Sequence, residues 1–373
     1  MNQGLRRVFV AGSSKPWQQA LFSALEDYCE VVPLNPCLTR SGWIPWPRPQ
    51  PQCVLPRGAF SHREWLARLL APMAVRRLRA AYGRADALIV TEPRFWPYAL
   101  HYRRLAPLIG YHISDDYAAY SFVRLKQEAL LVRHADLLFP VSKGLADALQ
   151  RRYGLDAARV HVIANGIPDT WLPDTPPERP APLPPCLPEG LRPLIGVIGV
   201  IGTRIDLLPI VAAHDALPQL RWLFVGPVHC SLPGLAHLQS SPRCRFVGAL
   251  PYEELQPYFA TLDAAVLPLT DGDINPCSSP VRFFSQLPTG QPILYTGTCA
   301  QIAETPRLAY HCVDGEALTA TLERLAAAGF QDGRAAERHR FAMESTWPKR
   351  AAALAEALSA ALVARRRAPA ARS

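Results

Sequence analysis

The residues best equipped for chemistry fall in two stretches. YHISDDYAAY, residues 111–120, sets Asp115 and Asp116 side by side where a hydrophobic run gives way to helical spacing. Adjacent carboxylates repel and seek donors or water. Either one is an acid or base facing a substrate, or both simply start a helix, where the backbone dipole favours Asp. DGDINPCSSPVRFFSQLPTGQPILYT, residues 271–296, carries Asn275, Ser278 and Ser279 on a polar loop and Arg282 on the helix after it. Hydroxyls and an arginine at a helix start suit a diphosphate. A capped surface helix with a solvated arginine has the same letters.

Two glycine turns accompany these stretches. GVIGVIGTRID places Gly196, Gly199 and Gly202 at a strand end, with Arg204 close behind. The spacing is not the dinucleotide G-x-G-x-x-G, and no acidic residue closes a ribose clamp about 20 positions on. It still permits close backbone approach to a phosphate, and a plain strand-to-helix turn reads equally well. Gly12, Ser13 and Ser14 follow the first strand, where acceptor or donor phosphates could approach, and a plain loop reads equally well. Glu128, His134 and Asp136 rank below these, as packing or surface residues. Asn165-Gly166 could shape a hinge or donor loop, though Asn-Gly is first of all a turn.

Elements must position these groups, and their order is legible. At 373 residues the chain suits two domains. RRVFVAG, ADALIVTEP, APLIGYHIS, ADLLFPVS and RVHVIANG read as strands separated by helices, the pattern of a parallel sheet with crossovers. KGLADALQRRYG has helical spacing and ends at Gly154, a C-cap. Residues 35–60 are rich in Pro and Trp and read as a loop; Ser61 and Glu64 have capping-box spacing ahead of a basic, apolar helix containing Pro72. Residues 173–193 form a proline-dense linker. PLIGVIG, LRWLFVGPV, CRFVGAL, AAVLPLT and QPILYTG then open a second strand series. The expected domains are 1–172, the linker 173–193, 194–345, and a final helix with a basic tail over 346–373. Two doubly wound α/β domains so joined would hold a ligand at the strand C-termini in the cleft between them.

Composition narrows the function. The formal net charge is +9, almost wholly from arginine, since Lys15, Lys126, Lys143 and Lys349 are the only lysines. Such a balance prefers anionic partners, and no nucleic-acid-binding signature appears. The 9 cysteines never form a Cys-x-x-Cys pair, so neither zinc ribbon nor disulfide framework is expected. No run of about 18 apolar residues and no secretory leader is visible, which sets the expectation of a cytoplasmic protein. Trp43, Trp46 and Trp65 with Arg63, Arg68, Arg76, Arg77 and Arg79 could instead rest on anionic lipid, or be an ordinary packed helix with a solvated basic face.

The order LLFPVSKGLADAL, VHVIANGI, PLIGVIG, WLFVGPV, RFVGALPYEELQPYFATLDAAVLPL and PVRFFSQLPTGQPIL resembles the GT-B glycosyltransferases of bacterial polysaccharide assembly, across residues 85–295. The resemblance implies two Rossmann-like domains facing a cleft: nucleotide-sugar on the second, acceptor on the first, the last helix crossing back. Where the retaining branch carries an E-x7-E pair, this chain has Cys277 and Ser285. That departure resembles the inverting, lipid-linked glucuronosyltransferases of xanthan-type assembly. They share a Ser-Ser pair followed by a basic residue, like Ser278, Ser279 and Arg282, and a Ser-Asp pair beyond a strand, like Ser114 and Asp115.

The resemblance implies an inverting transfer with Asp115 as base. Ser278, Ser279, Arg282, Arg204, Gly199, Asn275, Gly12 and Ser13 are then the expected substrate-binding residues. A UDP-sugar is the co-substrate, with no other cofactor and no metal, although Asp271 and Asp273 have Asp-x-Asp spacing. Expected partners are that donor, a carbohydrate or polyprenyl-diphosphate-linked acceptor and an anionic membrane surface, the protein lying in the cytoplasm or peripherally on the inner membrane face. A retaining transferase with an altered donor site and a catalytically silent sugar-nucleotide or glycan binder are the alternatives.

Overall fold

The computed structural model describes residues 4–12, 15–34, 64–119, 122–188 and 190–367. The chain divides into two compact units, one of residues 1–164 with 347–373, the other of residues 165–346. Ser13, Ser14, Trp43, Trp46, Ser61 and Arg63 lie outside the described residues.

The first unit alternates β1 (Arg7–Ala11), α1 (Pro16–Ala24), β2 (Glu30–Pro33), α2 (Glu64–Tyr82), β3 (Ala87–Val90), α3 (Trp96–Tyr102), β4 (Leu108–Ile113), α4 (Phe122–His134), β5 (Leu137–Pro140) and α5 (Lys143–Tyr153). Its five strands pair in the order β2-β1-β3-β4-β5, all parallel. Helices cover both faces of such a sheet, so its central strands read as continuous apolar runs; every residue of β3 and β4 is buried. The chain leaves β1 first toward β2 and then toward β3. This reversal opens a crevice outside the strand C-termini, where open α/β sheets bind ligands. α5 forms as its sequence expects: Ser142 Oγ accepts from Leu145 N at 3.0 Å, and Gly154 closes the helix in the left-handed region at φ 60°.

Two elements of the first unit differ from expectation. The short strand β2 has no counterpart in the sequence reading. Residues 159–166, expected as a strand, pair with β5 only through His161 N to Leu138 O and Ile163 N to Pro140 O, both at 2.9 Å. Pro140 turns its carbonyl toward this segment but has no N–H to give it, and the ladder stops.

The second unit runs β6 (Leu194–Ile198), α6 (Leu208–Ala216), β7 (Arg221–Val225), α7 (Leu235–Ser240), β8 (Cys244–Gly248), α8 (Gln256–Ala260), β9 (Ala264–Pro268), α9 (Val281–Gln286), β10 (Ile293–Thr296), α10 (Ala300–Ala303), β11 (Tyr310–His311), α11 (Gly315–Ala327) and α12 (Ala335–Met343). All six strands are parallel, in the order β8-β7-β6-β9-β10-β11, with the reversal between β6 and β9. The last helix, α13 (Trp347–Arg367), belongs to the first unit. Trp347, Ala351, Leu354, Leu358 and Leu362 recur at helical spacing and enter that unit's core beside Leu21 and Phe22.

The proline-dense segment is not a free spacer. Ala181 N donates to Ala260 O at 2.8 Å, Arg192 Nη1 holds Asp263 at 3.0 Å, and Leu183, Leu187 and Leu191 pack around Trp171 and Tyr258. Residues 165–172, read from sequence with the first domain, join the same unit. Apolar residues spaced among the prolines give the segment something to bury.

Candidate functional site

The second unit presents its candidate groups at the β6/β9 reversal. Gly199 follows β6 at φ +128°, and Arg282 lies against its missing side chain: a Cβ there would stand 2.9 Å from Arg282 Cζ. Gly226, after β7, abuts the same turn so closely that a Cβ would meet Gly199 O at 2.1 Å. Only glycine fits either position.

Arg282 sits in the first turn of α9. Its side chain is partly exposed, yet Nη1 is sealed from solvent and has no hydrogen-bond partner. Burial, then the charge of Arg204, pushes its guanidinium down to about 10. A shielded cation beside a second cation is a costly arrangement that an incoming anion relieves.

The neighbouring groups divide by what they already hold. Asn275 is buried, and its Nδ2 donates to Arg204 O at 2.8 Å, Thr270 O at 3.0 Å and Thr270 Oγ1 at 3.1 Å. It therefore ties the Arg204 loop to the loop after β9. Ser278 Oγ donates to Asn275 O at 2.8 Å, which commits its proton. Ser279 Oγ instead accepts from Asn165 N at 3.1 Å, while Asn165 Nδ2 donates to Ser279 O at 2.6 Å. This leaves the Ser279 hydroxyl proton for a ligand. Asn165 belongs to the group, and its side chain, read as a turn residue, gave no signal beyond the Asn-Gly pair. Ser285 is buried with Oγ sealed and unpartnered, and Cys277 is half-buried on the one-turn 3-10 helix Asn275–Cys277. Asp271 Oδ1 accepts from Thr298 Oγ1 at 2.6 Å.

The first unit's candidates gather where β1 and β4 end. Asp115 lies two residues beyond β4, is buried, and its Oδ2 receives Lys15 Nζ at 2.8 Å. The same ammonium reaches Ser114 Oγ at 3.3 Å. Lys15 stands at the N-cap of α1 after the β1 turn, and the sequence reading missed it; its only signal there is a rare lysine just past Gly12. His112, buried in β4, is pushed down to about 4 by burial and then by Lys15, and is neutral. Gly12, at φ +94°, faces not open space but Phe95: a Cβ would lie 2.2 Å from Phe95 Cε2. The lost side chain there admits an aromatic ring.

Asp116 points elsewhere. Its Oδ1 accepts from Ala118 N at 3.1 Å, capping the 3-10 turn Tyr117–Ala119, and Arg152 Nη2 binds its carboxylate at 2.9 Å. Arg152 Nη1 continues to Glu128 Oε2 at 3.4 Å. Tyr153 OH also donates to that oxygen at 2.9 Å, and Tyr111 OH to Oε1 at 3.3 Å. Burial raises the Glu128 carboxyl to about 7, the bond from Tyr153 and the charge of Arg152 opposing the rise. This network braces the Asp115–Asp116 turn from below. Asp136 is likewise a brace, accepting from Ile109 N at 2.8 Å and Arg103 at 3.0 Å.

Residues 38–171 match the profile of Glycosyltransferase Family 4. No curated protein sequence matches the chain. Among solved structures, it superposes on the sucrose-phosphate synthase of Thermosynechococcus elongatus with TM-score 0.67 at 16% identity, covering 96% of this chain and 100% of that one. A glycosyltransferase of Rickettsia africae gives TM-score 0.69 at 11% identity, covering 96% and 99%. The apo lipopolysaccharide outer core galactosyltransferase WaaB gives 0.66 at 13%, covering 96% and 100%. The chain has the GT-B fold and carries a glycosyltransferase domain. In this transferase the family match falls almost wholly on the first unit, which holds Asp115 and Lys15. The transferase's shielded arginine lies in the second.

Proposed function

We propose that this protein is an inverting hexosyltransferase. It moves a sugar, with glucuronate the best-suited candidate, from a UDP-sugar to a carbohydrate or polyprenyl-diphosphate-linked oligosaccharide in exopolysaccharide or envelope glycan synthesis. The observation that carries the reading is Arg282, a guanidinium with a sealed, unpartnered Nη1 pressed on Gly199 at the strand reversal. A donor diphosphate supplies the missing anion there. Ser279 donates its proton to a phosphate oxygen, Arg204 adds charge, and Asn275 and Ser278 hold the two loops in place. Cations and oriented donors thus neutralise the leaving group, and no metal is required of the protein.

On the first unit Asp115 takes the proton from the acceptor hydroxyl as the nucleotide diphosphate leaves from the opposite face of the sugar. Lys15, in contact with its Oδ2 at 2.8 Å, orients the carboxylate. The stripe Trp65, Leu69 and Met73 on α2, 62%, 66% and 46% exposed, lies between exposed Arg68, Arg76, Arg77 and Arg79. It supports a peripheral seat on anionic lipid at the inner face of the cytoplasmic membrane, where a lipid-linked acceptor resides.

Cys277 and Ser285, standing where the retaining branch has its carboxylates, favour a second reading, a nucleotide-sugar binder without transfer. Calorimetry with a panel of UDP-sugars, followed by turnover assays on the ligand that binds, separates the two. The proposal expects binding that Arg282→Ala weakens at least about 10-fold, together with turnover. Binding with no turnover on any lipid-linked acceptor would leave the silent reading standing.

A further inference from the structure

We propose a second site, for a divalent transition metal of the zinc class, on the second unit and remote from the donor groups. His214 and Asp215 end α6, and His237 projects from α7. His214 Nδ1 lies 2.7 Å from Asp215 Oδ1, and His237 Nε2 lies 2.8 Å from that same oxygen. The three ligand atoms all fall within 4.8 Å of one another. Two imidazole nitrogens and one carboxylate oxygen converging from two elements form a set that suits zinc, nickel or copper.

The support around the set points the same way. His214 is buried, and its Nε2 sits 2.8 Å from Ser241 Oγ. That oxygen also accepts from Arg243 N at 3.2 Å and keeps its own proton and a second lone pair, so it can meet either tautomer of His214. When a metal takes the place of the proton on Nδ1, His214 gives its Nε2 proton to Ser241, the outer contact that orients a metal-bound histidine. Asp215 and His237 are about half exposed, which leaves an entry path and a fourth position for water. Tetrahedral coordination at 2.0–2.1 Å puts ligand atoms roughly 3.4 Å apart, so on binding each nitrogen draws back from Asp215 Oδ1 by under 1 Å while the two nitrogens, within 4.8 Å of each other, adjust to the same spacing.

One group opposes the ion. Arg243 Nη2 approaches His214 Nδ1 at 3.3 Å, while its Nη1 is anchored on His214 O at 2.8 Å and Leu217 O at 3.2 Å. The metal displaces only the first contact. The site lies at the N-terminal ends of β7 and β8, a strand length of about 17 Å from the turns that carry Gly199 and Gly226. It braces α6 against α7 and takes no part in transfer.

The test is zinc titration by calorimetry on the full chain, untagged and chelator-treated, with cobalt as the spectroscopic probe. One equivalent is expected, with the intense visible bands of four-coordinate cobalt and a raised melting temperature. His237→Gln, on an exposed side chain, should lower affinity at least about 100-fold, Ser241→Ala about 10-fold, and Arg243→Gln should tighten binding. Affinity should also fall on acidification, because the ligands bind deprotonated. Absence of zinc binding, or binding that His237→Gln and His214→Gln both leave intact, would overturn the proposal.

Discussion

At the scale of the residue, the paired aspartates separate by what they touch. Asp115 meets the Lys15 ammonium just beyond the end of β4, whereas Asp116 holds Ala118 N and Arg152. Asp115→Asn is expected to lower kcat by about 10²- to 10⁴-fold, the usual worth of a general base, with a melting temperature near wild type. Asp116→Asn should act in the opposite sense. The sequence alone has it doing little. The Arg152 pair predicts a loss of about 1–3 kcal/mol in denaturant titration with turnover largely kept. Arg282 reverses the usual order of stability and function. Arg282→Met removes a shielded charge that lacks a partner, so the ligand-free protein should melt higher while donor affinity collapses.

At the scale of the element, Glu128 links α4 to the turn above it. Its folded value, about 7, stands above the ordinary carboxyl value of 4.5. Between those values the folded chain binds more protons than the unfolded one, so this group's contribution to stability declines as pH rises from about 4.5 to 7 and is level beyond. Glu128→Gln should flatten that decline, by an amount on the order of 2–3 kcal/mol across the window. Urea midpoints measured at pH 5 and pH 8 check it. The elements themselves were largely legible, since β1 and β3 to β10 announce themselves as short β-rich runs between turns. The placement of Asp115, Gly199 and Arg282 just beyond or at strand and helix ends was legible as well, because periodicity finds such ends. What was not legible depends on long-range partners. Lys15 meets Asp115 across 100 residues, Asn165 meets Ser279 across 114, and Pro140 silences a neighbouring ladder that its own sequence cannot show. β11, with two residues, has no periodicity to read.

At the scale of the whole molecule, a lipid-linked acceptor, as proposed, calls for a membrane-facing surface as well as a donor site. No helix among the described residues is long and apolar enough to cross a membrane. Each exposed arginine of α2 near an anionic surface contributes about 1 kcal/mol at moderate salt. Trp65→Ser with Leu69→Ser should therefore weaken sedimentation with phosphatidylglycerol vesicles, added salt should weaken it further, and neutral vesicles should capture little of the wild type. Unchanged binding by the double variant would remove the lipid seat without touching the donor site. The central claim is an inverting transfer with Asp115 as base, and stereochemistry tests it most directly. Proton NMR of the product formed from an α-linked UDP-sugar should show a β-linked residue. An α-linked product would contradict the account.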